Sequence, residues 1–223
     1  HDRLGRDVVQ RAALVVGSPP TPVAQPLAGL TDGVAHARND KLHRVKAVLC
    51  KSFGPPGALT VEEIAPPIAG AGEVVVSVKA AGVNFPDVLI IENKYQLKPP
   101  LPVSPGSELA GVVKAVGDGV TNARPGDRVM AITGFGAFAE EVTVDAKRLV
   151  PIPDGMDFVA AAAFGLTYAT ADHALRDRGE LKAGETLLVL GAAGGVGLAA
   201  IDVGRILGAR VIAAASSDDK LAV

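Results

Sequence analysis

Cysteine occurs once in the 223 residues, at Cys50. A single thiol excludes an internal disulfide and any metal centre built from two or more thiolates. It also suits a reducing compartment, so a cytoplasmic protein is the expectation. Histidine is almost as scarce, at positions 1, 36, 43 and 173. Three of these fall in the first 44 residues, and His173 lies in a stretch of helical spacing where a surface or packing role is the ordinary one. There is no basic excess: 22 Lys and Arg stand against 24 Asp and Glu, a formal net charge of −2. Sequence-independent binding to nucleic acid rests on a cationic surface, so nucleic acid is not an expected partner. Long hydrophobic runs are missing too, the locally apolar Ala160 to Ala163 included, and none approaches the roughly 18 uninterrupted apolar residues of a membrane span. A soluble protein with no membrane partner is the reading.

What the chain does have is 48% apolar and 21% charged residues, an ordinary proportion for a globular protein with a core. It also has one conspicuous turn, Gly191-Ala192-Ala193-Gly194-Gly195-Val196-Gly197, between the apolar run Thr186 to Leu190 and a helix-like stretch. A strand that ends in glycines and turns at once into a helix points backbone N–H groups at one spot. The helix N-terminus adds partial positive charge there, so a pyrophosphate can approach closely. The turn therefore points to a dinucleotide. The same string satisfies the GxxxGxG pattern of short-chain dehydrogenases, but those enzymes carry it near the N-terminus together with Tyr-x-x-x-Lys. Neither Tyr95 nor Tyr168 has a lysine four residues on, so that reading fails.

Residues 1–44 crowd Pro19, Pro20, Pro22 and Pro26 together and hold no helical or strand period for more than a turn. A disordered leader is expected there. Arg3, Arg6 and Arg11 precede the apolar run Ala-Ala-Leu-Val-Val, which stops at Gly17-Ser-Pro-Pro, short of the roughly 7–15 residues of a secretory h-region. The first methionine is Met130, and patterned sequence begins at Val45. The hypothesis is translation from Val45, which an intact mass including residues 1–44 would overturn. From Val45, short strands alternate with glycine and proline punctuation: Val45 to Cys50, Leu59 to Ile64, Glu73 to Val83, Leu109 to Val116, Arg128 to Ile132 and Ala137 to Val144, with a short helix over Phe85 to Glu92. On Glu73 to Val83, Val74, Val76 and Val78 are expected on one face and Val75, Ser77 and Lys79 on the other. This spacing predicts a small barrel over 45–155. After Gly155 a helix is expected over Phe158 to Asp177, broken at Gly165. A strand over Thr186 to Leu190, a helix from Gly195 to Leu207 and a strand over Arg210 to Ala215 follow, with Ser216 to Asp219 capping another helix. Residues 156–223 thus hold one βαβ unit of a dinucleotide fold that usually has six strands. The expectation is a C-terminally incomplete domain with an exposed edge at its last strand.

Several segments resemble one family in order and spacing. Val45-Lys-Ala-Val, Ala80-Ala-Gly-Val-Asn-Phe-Pro-Asp87, Pro105-Gly-Ser-Glu108, Pro125-Gly-Asp-Arg-Val129, Gly136-Ala-Phe-Ala-Glu140, Thr170-Ala-Asp-His-Ala-Leu175 and the glycine turn look like the medium-chain dehydrogenase/reductase superfamily. They are most similar to its zinc-less quinone oxidoreductase branch. The resemblance spans residues 45–223 and implies an α/β chain: a GroES-like N-terminal β-barrel, then a Rossmann doubly wound parallel-sheet domain, with the active site in the cleft between them. Zinc-dependent relatives carry a cysteine where this sequence has Asn84 and a histidine where it has Ser107, so no metal site is expected. The implied reaction is hydride transfer from NADPH to a small-molecule quinone or enone, whose conjugation delocalises the developing charge.

The cofactor reading turns on the end of the second Rossmann strand, where enzymes using NAD usually place a carboxylate against the ribose. Here Ala214, Ala215, Ser216 and Ser217 stand, and Lys220 matches the family's lysine for the 2′-phosphate, so NADPH is favoured over NADH. Asp218 and Asp219 oppose this electrostatically, and Ser216 as a helix N-cap with Lys220 solvated is the structural alternative. By the resemblance, Asn84 and Thr170 lie near the nicotinamide, and Ala193, Gly194, Gly195 and Val196 cradle the pyrophosphate. Asn84, Asp87 and Tyr95 line the cleft as catalytic candidates, Tyr95 being the one proton donor. The structural alternatives are a turn residue for Asn84, a first-turn helix acid for Asp87, a barrel-surface aromatic for Tyr95 and backbone bonding for Thr170. The resemblance further implies a homodimer for the full-length protein. Two other readings stay open: a non-catalytic relative that binds NADPH, and an inactive fragment lacking the remaining Rossmann strands.

Overall fold

The computed structural model describes residues 43–222, so all but the last two residues of the expected leader lie outside the described residues. Two compact units divide at Ala163/Phe164.

In the first unit, β1 (Val45–Leu49) pairs antiparallel with β2 (Thr60–Ile64), Val45 opposite Ile64 and Leu49 opposite Thr60. Between them Pro55 and Pro56 preset φ for a single 3-10 turn, Pro56–Ala58. Five further strands form an antiparallel sheet in spatial order β6-β3-β4-β5-β7. They are β3 (Glu73–Gly82), β4 (Glu108–Val116), β5 (Arg128–Ile132), β6 (Glu141–Asp145) and β7 (Val150–Pro151). Val74, Val76, Leu109, Val113 and Val129 form the centre of its core. Each such side chain, fully buried, stabilises the fold by about 1.5–3 kcal/mol. Val74, Val76 and Val78 share one core, as alternation along β3 predicts, and Val75, outside that cluster, is buried as well. Against β4 the register shifts at Val75/Val76 and Val78/Ala80.

The expected strand over Ala137 to Val144 is a correction, because the ladder starts only at Glu141. Residues 137–140 bond instead to two different strands. Val48 N–H donates to Phe138 O (2.8 Å), Glu140 N–H to Lys46 O (2.9 Å) and Val78 N–H to Glu140 O (2.9 Å). The contact of this segment with β1 is an isolated antiparallel bridge, Ala47 opposite Ala139, rather than a ladder. The segment joins β1 to β3 and so draws the two sheets into one barrel. The short strand β7 carries no period-two signal and went unforeseen in the sequence.

α1 (Phe85–Ile91) has proline in its first turn, where the missing N–H costs nothing, and buries Asp87, Ile90 and Ile91. α2 (Phe158–Asp172) begins where Asp157 Oδ1 accepts the Ala160 N–H at 2.7 Å. It runs through Gly165 without the expected break. One glycine costs about 1 kcal/mol in a helix, and the surrounding alanines, with Ala161 and Ala162 buried, tolerate it. From His173 to Arg178 the coil widens to a π-helical turn that no sequence signal marked.

In the second unit, β8 (Thr186–Leu190), α3 (Gly195–Ile206) and β9 (Arg210–Ala214) form a βαβ unit, with β8 and β9 parallel from Thr186 opposite Arg210 to Leu190 opposite Ala214. Ala171 and Leu175 pack with Ala199 and Val203 of α3, joined by Tyr168 and Leu187. Among the described residues β9 pairs only with β8, and Ile212 stays 42% exposed, as an uncovered edge would. The helix expected after Ser216 is a single 3-10 turn, Asp219–Leu221. Its cap position is Asp218, without a side-chain bond, and the Ser216 hydroxyl instead accepts from Lys220 Nζ at 3.0 Å.

Candidate functional site

Two clusters of sequence-predicted residues take shape, one in each unit. In the second unit, β8 leaves the sheet at Gly191, whose φ of 66° lies in the left-handed region that favours glycine. Ala192 N–H returns to Ala214 O at 3.1 Å and Gly194 N–H to Gly191 O at 3.0 Å, so the turn is tied both to the tip of β9 and to itself. The first bond that α3 makes runs from Leu198 N–H to Gly194 O (2.8 Å). The N–H groups of Gly195, Val196 and Gly197 therefore belong to the first turn, where a helix offers them no acceptor of its own. Gly194, Gly195 and Val196 are exposed. A Cβ on Gly197 would sit 2.9 Å from the Ala192 carbonyl carbon and Cα, and closer still to Gly191 O. The helix start can lie this near the strand end only because residue 197 is glycine. Donors, dipole and bare backbone converge on one exposed spot, and that arrangement fits a phosphate group.

Thr167 of α2 lies against this turn, its Cγ2 3.1 Å from where a Gly195 Cβ would be. At the next residue, the Tyr168 hydroxyl donates to Asp202 Oδ2 at 2.6 Å, and its ring stacks on Phe164 with centroids 4.3 Å apart. That hydrogen bond, then burial, then the charge of Asp202 push the Tyr168 phenol above its ordinary range. The Thr170 hydroxyl donates to Leu166 O at 2.6 Å, within its own helix. At the end of β9, Ala214 and Ala215 are half-buried and Ser216, Ser217 and Lys220 exposed, with no carboxylate at the strand tip.

The first unit gathers Asn84, Asp87, Ser107 and Glu108. Asn84 precedes α1, and Asp87 Oδ2 accepts its N–H at 2.8 Å, while the Asp87 N–H goes to the Asn84 carbonyl oxygen at 3.0 Å. Asp87 Oδ1 accepts from the Ser107 hydroxyl. Both Asp87 oxygens are thus engaged, and the residue is 3% exposed. Asn84 Nδ2 donates to Glu108 Oε1 at 2.8 Å, and Glu108 is 2% exposed. The two positions that resemble zinc-ligand sites, Asn84 and Ser107, are therefore joined through the Asp87 carboxylate, which accepts the Asn84 N–H and the Ser107 hydroxyl. Among the described residues no group of three or more His, Cys, Asp or Glu is placed to hold a metal ion. Tyr95 is half-buried and takes no part in the hydrogen bonds just described. Sequence reasoning missed Glu108 and the Tyr168–Asp202 pair. A carboxylate opening the apolar strand Leu109-Ala-Gly-Val-Val was the one available signal.

Residues 70–154 match the alcohol dehydrogenase GroES-like domain. The mouse quinone oxidoreductase-like protein 2 is 43% identical over 176 residues, which cover 78% of this chain and 50% of that protein. A probable oxidoreductase from Mycobacterium abscessus shares 46% identity at a TM-score of 0.73, covering 77% of this chain and 55% of that one. The Escherichia coli quinone oxidoreductase, solved in complex with NADPH, gives 34% identity and a TM-score of 0.74, covering 78% and 54%. The chain spans about half the length of the curated relatives it matches. With a GroES-like barrel followed by a Rossmann-type βαβ unit, it belongs to the medium-chain dehydrogenase/reductase superfamily, in the zinc-less quinone oxidoreductase-like branch.

Proposed function

We propose that this protein is an NADPH-dependent reductase of quinones or α,β-unsaturated carbonyl compounds that works without a metal. The observation that carries the reading is the glycine turn, whose exposed first-turn N–H groups and close helix–strand approach fit a pyrophosphate. NADPH, when bound, supplies the hydride. The chain's own residues bind and orient: the first-turn N–H groups of Gly195 and Val196 hold the phosphates, with Ala193 and Gly194 beside them. Lys220, steadied by Ser216, offers a cation for a 2′-phosphate. Asn84 and Thr170 are assigned to the nicotinamide half of the cofactor. Asp87 positions rather than reacts, since both of its oxygens are engaged. Tyr95 is then the side chain proposed to hold a proton for the product.

That division favours one rival, a relative that binds NADPH without turnover, because Asn84 and Asp87 are already bonded within the barrel. One assay separates the two readings. The protein is mixed with NADPH and 1,4-benzoquinone or an enone, and the nicotinamide absorbance is followed. Oxidation that requires the acceptor supports the reductase, and saturable binding with constant absorbance refutes it.

A further inference from the structure

We infer that Tyr168 and Asp202 are a positioning pair: they hold the C-terminal part of α2 against the first turn of α3 and so set the aim of the N–H groups assigned to the phosphates. The inference rests on the dinucleotide reading above and deepens it, and all of its residues lie in the second unit. Consecutive residues of α2 meet α3 at two levels. Thr167 lies on the first turn, with its Cγ2 3.1 Å from where a Gly195 Cβ would be. Tyr168 donates to Asp202 Oδ2 at 2.6 Å across 34 residues of sequence. Gly195 and Asp202 stand about two turns apart, which puts them on one face of α3, about 10 Å along its axis. A single contact would fix how near α2 stands, and a second at a different height fixes how it is turned.

Of the two contacts, only the lower one is directional. Thr167 offers Gly195 a methyl group, whose attraction has no preferred angle. The Tyr168 phenol donates to a carboxylate, a charge-assisted bond restricted in both length and angle. The Phe164 ring, stacked on Tyr168 with centroids 4.3 Å apart and planes 14° from parallel, keeps the phenol from turning away. Ala171 and Leu175 pack with Ala199 and Val203 nearby, but apolar burial is non-directional and does not supply the angle. Asp202 is otherwise a poor choice for its place. Aspartate is a weak helix former, and a carboxylate about 10 Å from an anion on the same face repels it. The tie to Tyr168 is what accounts for an acceptor there, and an amide oxygen would serve it without the charge.

The test uses the full chain, with two ligands and one readout that needs none. The ligands are NADPH and adenosine 2′-phosphate, which has no pyrophosphate, and the third readout is the backbone amide resonances of Gly195 and Val196. Tyr168→Phe is expected to weaken NADPH about tenfold, to leave adenosine 2′-phosphate within about twofold and to shift both resonances. Asp202→Ala should do the same. Asp202→Asn should bind NADPH as tightly as wild type or tighter, with both resonances in place. A role confined to stability looks different: the melting temperature falls while NADPH affinity holds, or NADPH and adenosine 2′-phosphate weaken together. Either result overturns the inference, and so does Asp202→Asn falling as far as Asp202→Ala. Should Asp202→Ala fail to fold, Tyr168→Phe set against Asp202→Asn decides. Failure of the function reading is separate, since NADPH that binds but reduces no quinone leaves every readout intact. A wild-type chain that binds no NADPH removes the assigned ligand, and the resonances then decide alone: Gly195 and Val196 unmoved in Tyr168→Phe refute the positioning.

Discussion

Gly197→Ala puts a single methyl group where the candidate cofactor site is tightest. The new Cβ would lie 2.9 Å from the carbonyl carbon and Cα of Ala192 and closer to Gly191 O, against the roughly 3.5–4.0 Å at which carbon atoms rest. All three obstacles are main chain, so no rotamer change relieves them, and the first turn of α3 has to move away from Gly191. Two terms then compete in stability. Alanine in place of a helical glycine gains about 1 kcal/mol, and overpacking costs about 1–3 kcal/mol. The net loss is about 0–2 kcal/mol, a melting shift of only a few degrees for a domain of this size. Binding has no compensating term. A hydrogen bond to a charged group contributes about 1.5–3 kcal/mol, and losing one weakens the complex at least about tenfold. The expected signature is a small change in melting temperature with a large loss of NADPH affinity, read by thermal melts and fluorescence titration on the same samples. Gly57→Ala is the control, since a Cβ there meets nothing within 4 Å. NADPH affinity in Gly197→Ala within twofold of wild type would refute the assignment of this turn to the phosphates.

Asp87→Ala removes the acceptor of both the Asn84 N–H and the Ser107 hydroxyl and should cost about 2–4 kcal/mol in denaturant unfolding, with Asp87→Asn intermediate. At Glu141, burial pushes the carboxyl up, but the hydrogen bonds and charges of Lys114 (2.5 Å) and His43 (3.2 Å) outweigh it and hold the value below the ordinary range. Its stabilisation is therefore present above the ordinary carboxylate range and fades as pH falls through the lowered value. Lys114→Met should cost about 1–3 kcal/mol at pH 7 and progressively less on acidification, as measured by unfolding across pH. Tyr168→Phe should cost about 1 kcal/mol, and ultraviolet titration should place the wild-type Tyr168 phenolate above the usual range, with Asp202→Ala bringing it back. Tyr95→Phe should lower quinone-dependent turnover about tenfold or more if that phenol protonates the product, and unchanged rates across pH would remove it from the mechanism.

What the sequence made legible is what short-range geometry controls. β5 and β8 lie where period two and punctuation put them, and the glycine turn lies between a strand and a helix because those residues permit little else there. Legibility fails where a residue answers to a partner far along the chain. Residues 137–140 carry a strand-like pattern but divide their bonds among Lys46, Val48, Val78, Pro105 and Gly106, which no local pattern encodes. Ser216 reads as a helix cap, and Lys220 four residues on takes its hydroxyl instead. Tyr168 and Asp202 stand 34 residues apart and Lys114 and Glu141 27 apart, each pair brought together by packing alone.

The barrel cluster shows where that boundary falls within one site. Asn84 and Ser107 are informative in sequence through what they are not, a thiolate and an imidazole, and that reading speaks only to a metal. What replaces the metal-binding chemistry is a relation between residues: Ser107 to Asp87, Asp87 to Asn84, Asn84 to Glu108. An amide and a hydroxyl cannot be buried beside apolar β4 without partners except at a cost of about 1–3 kcal/mol each. The two buried carboxylates, Asp87 and Glu108, are what satisfies them. Desolvation runs the same way in reverse, since Asp87 and Glu108 tolerate burial only where donors such as Asn84 and Ser107 meet them. The substitutions that would remove a zinc site and the carboxylates that remain are therefore one arrangement. Changing Asn84 or Ser107 back toward a metal ligand without also changing Asp87 and Glu108 should destabilise the barrel before it creates a centre.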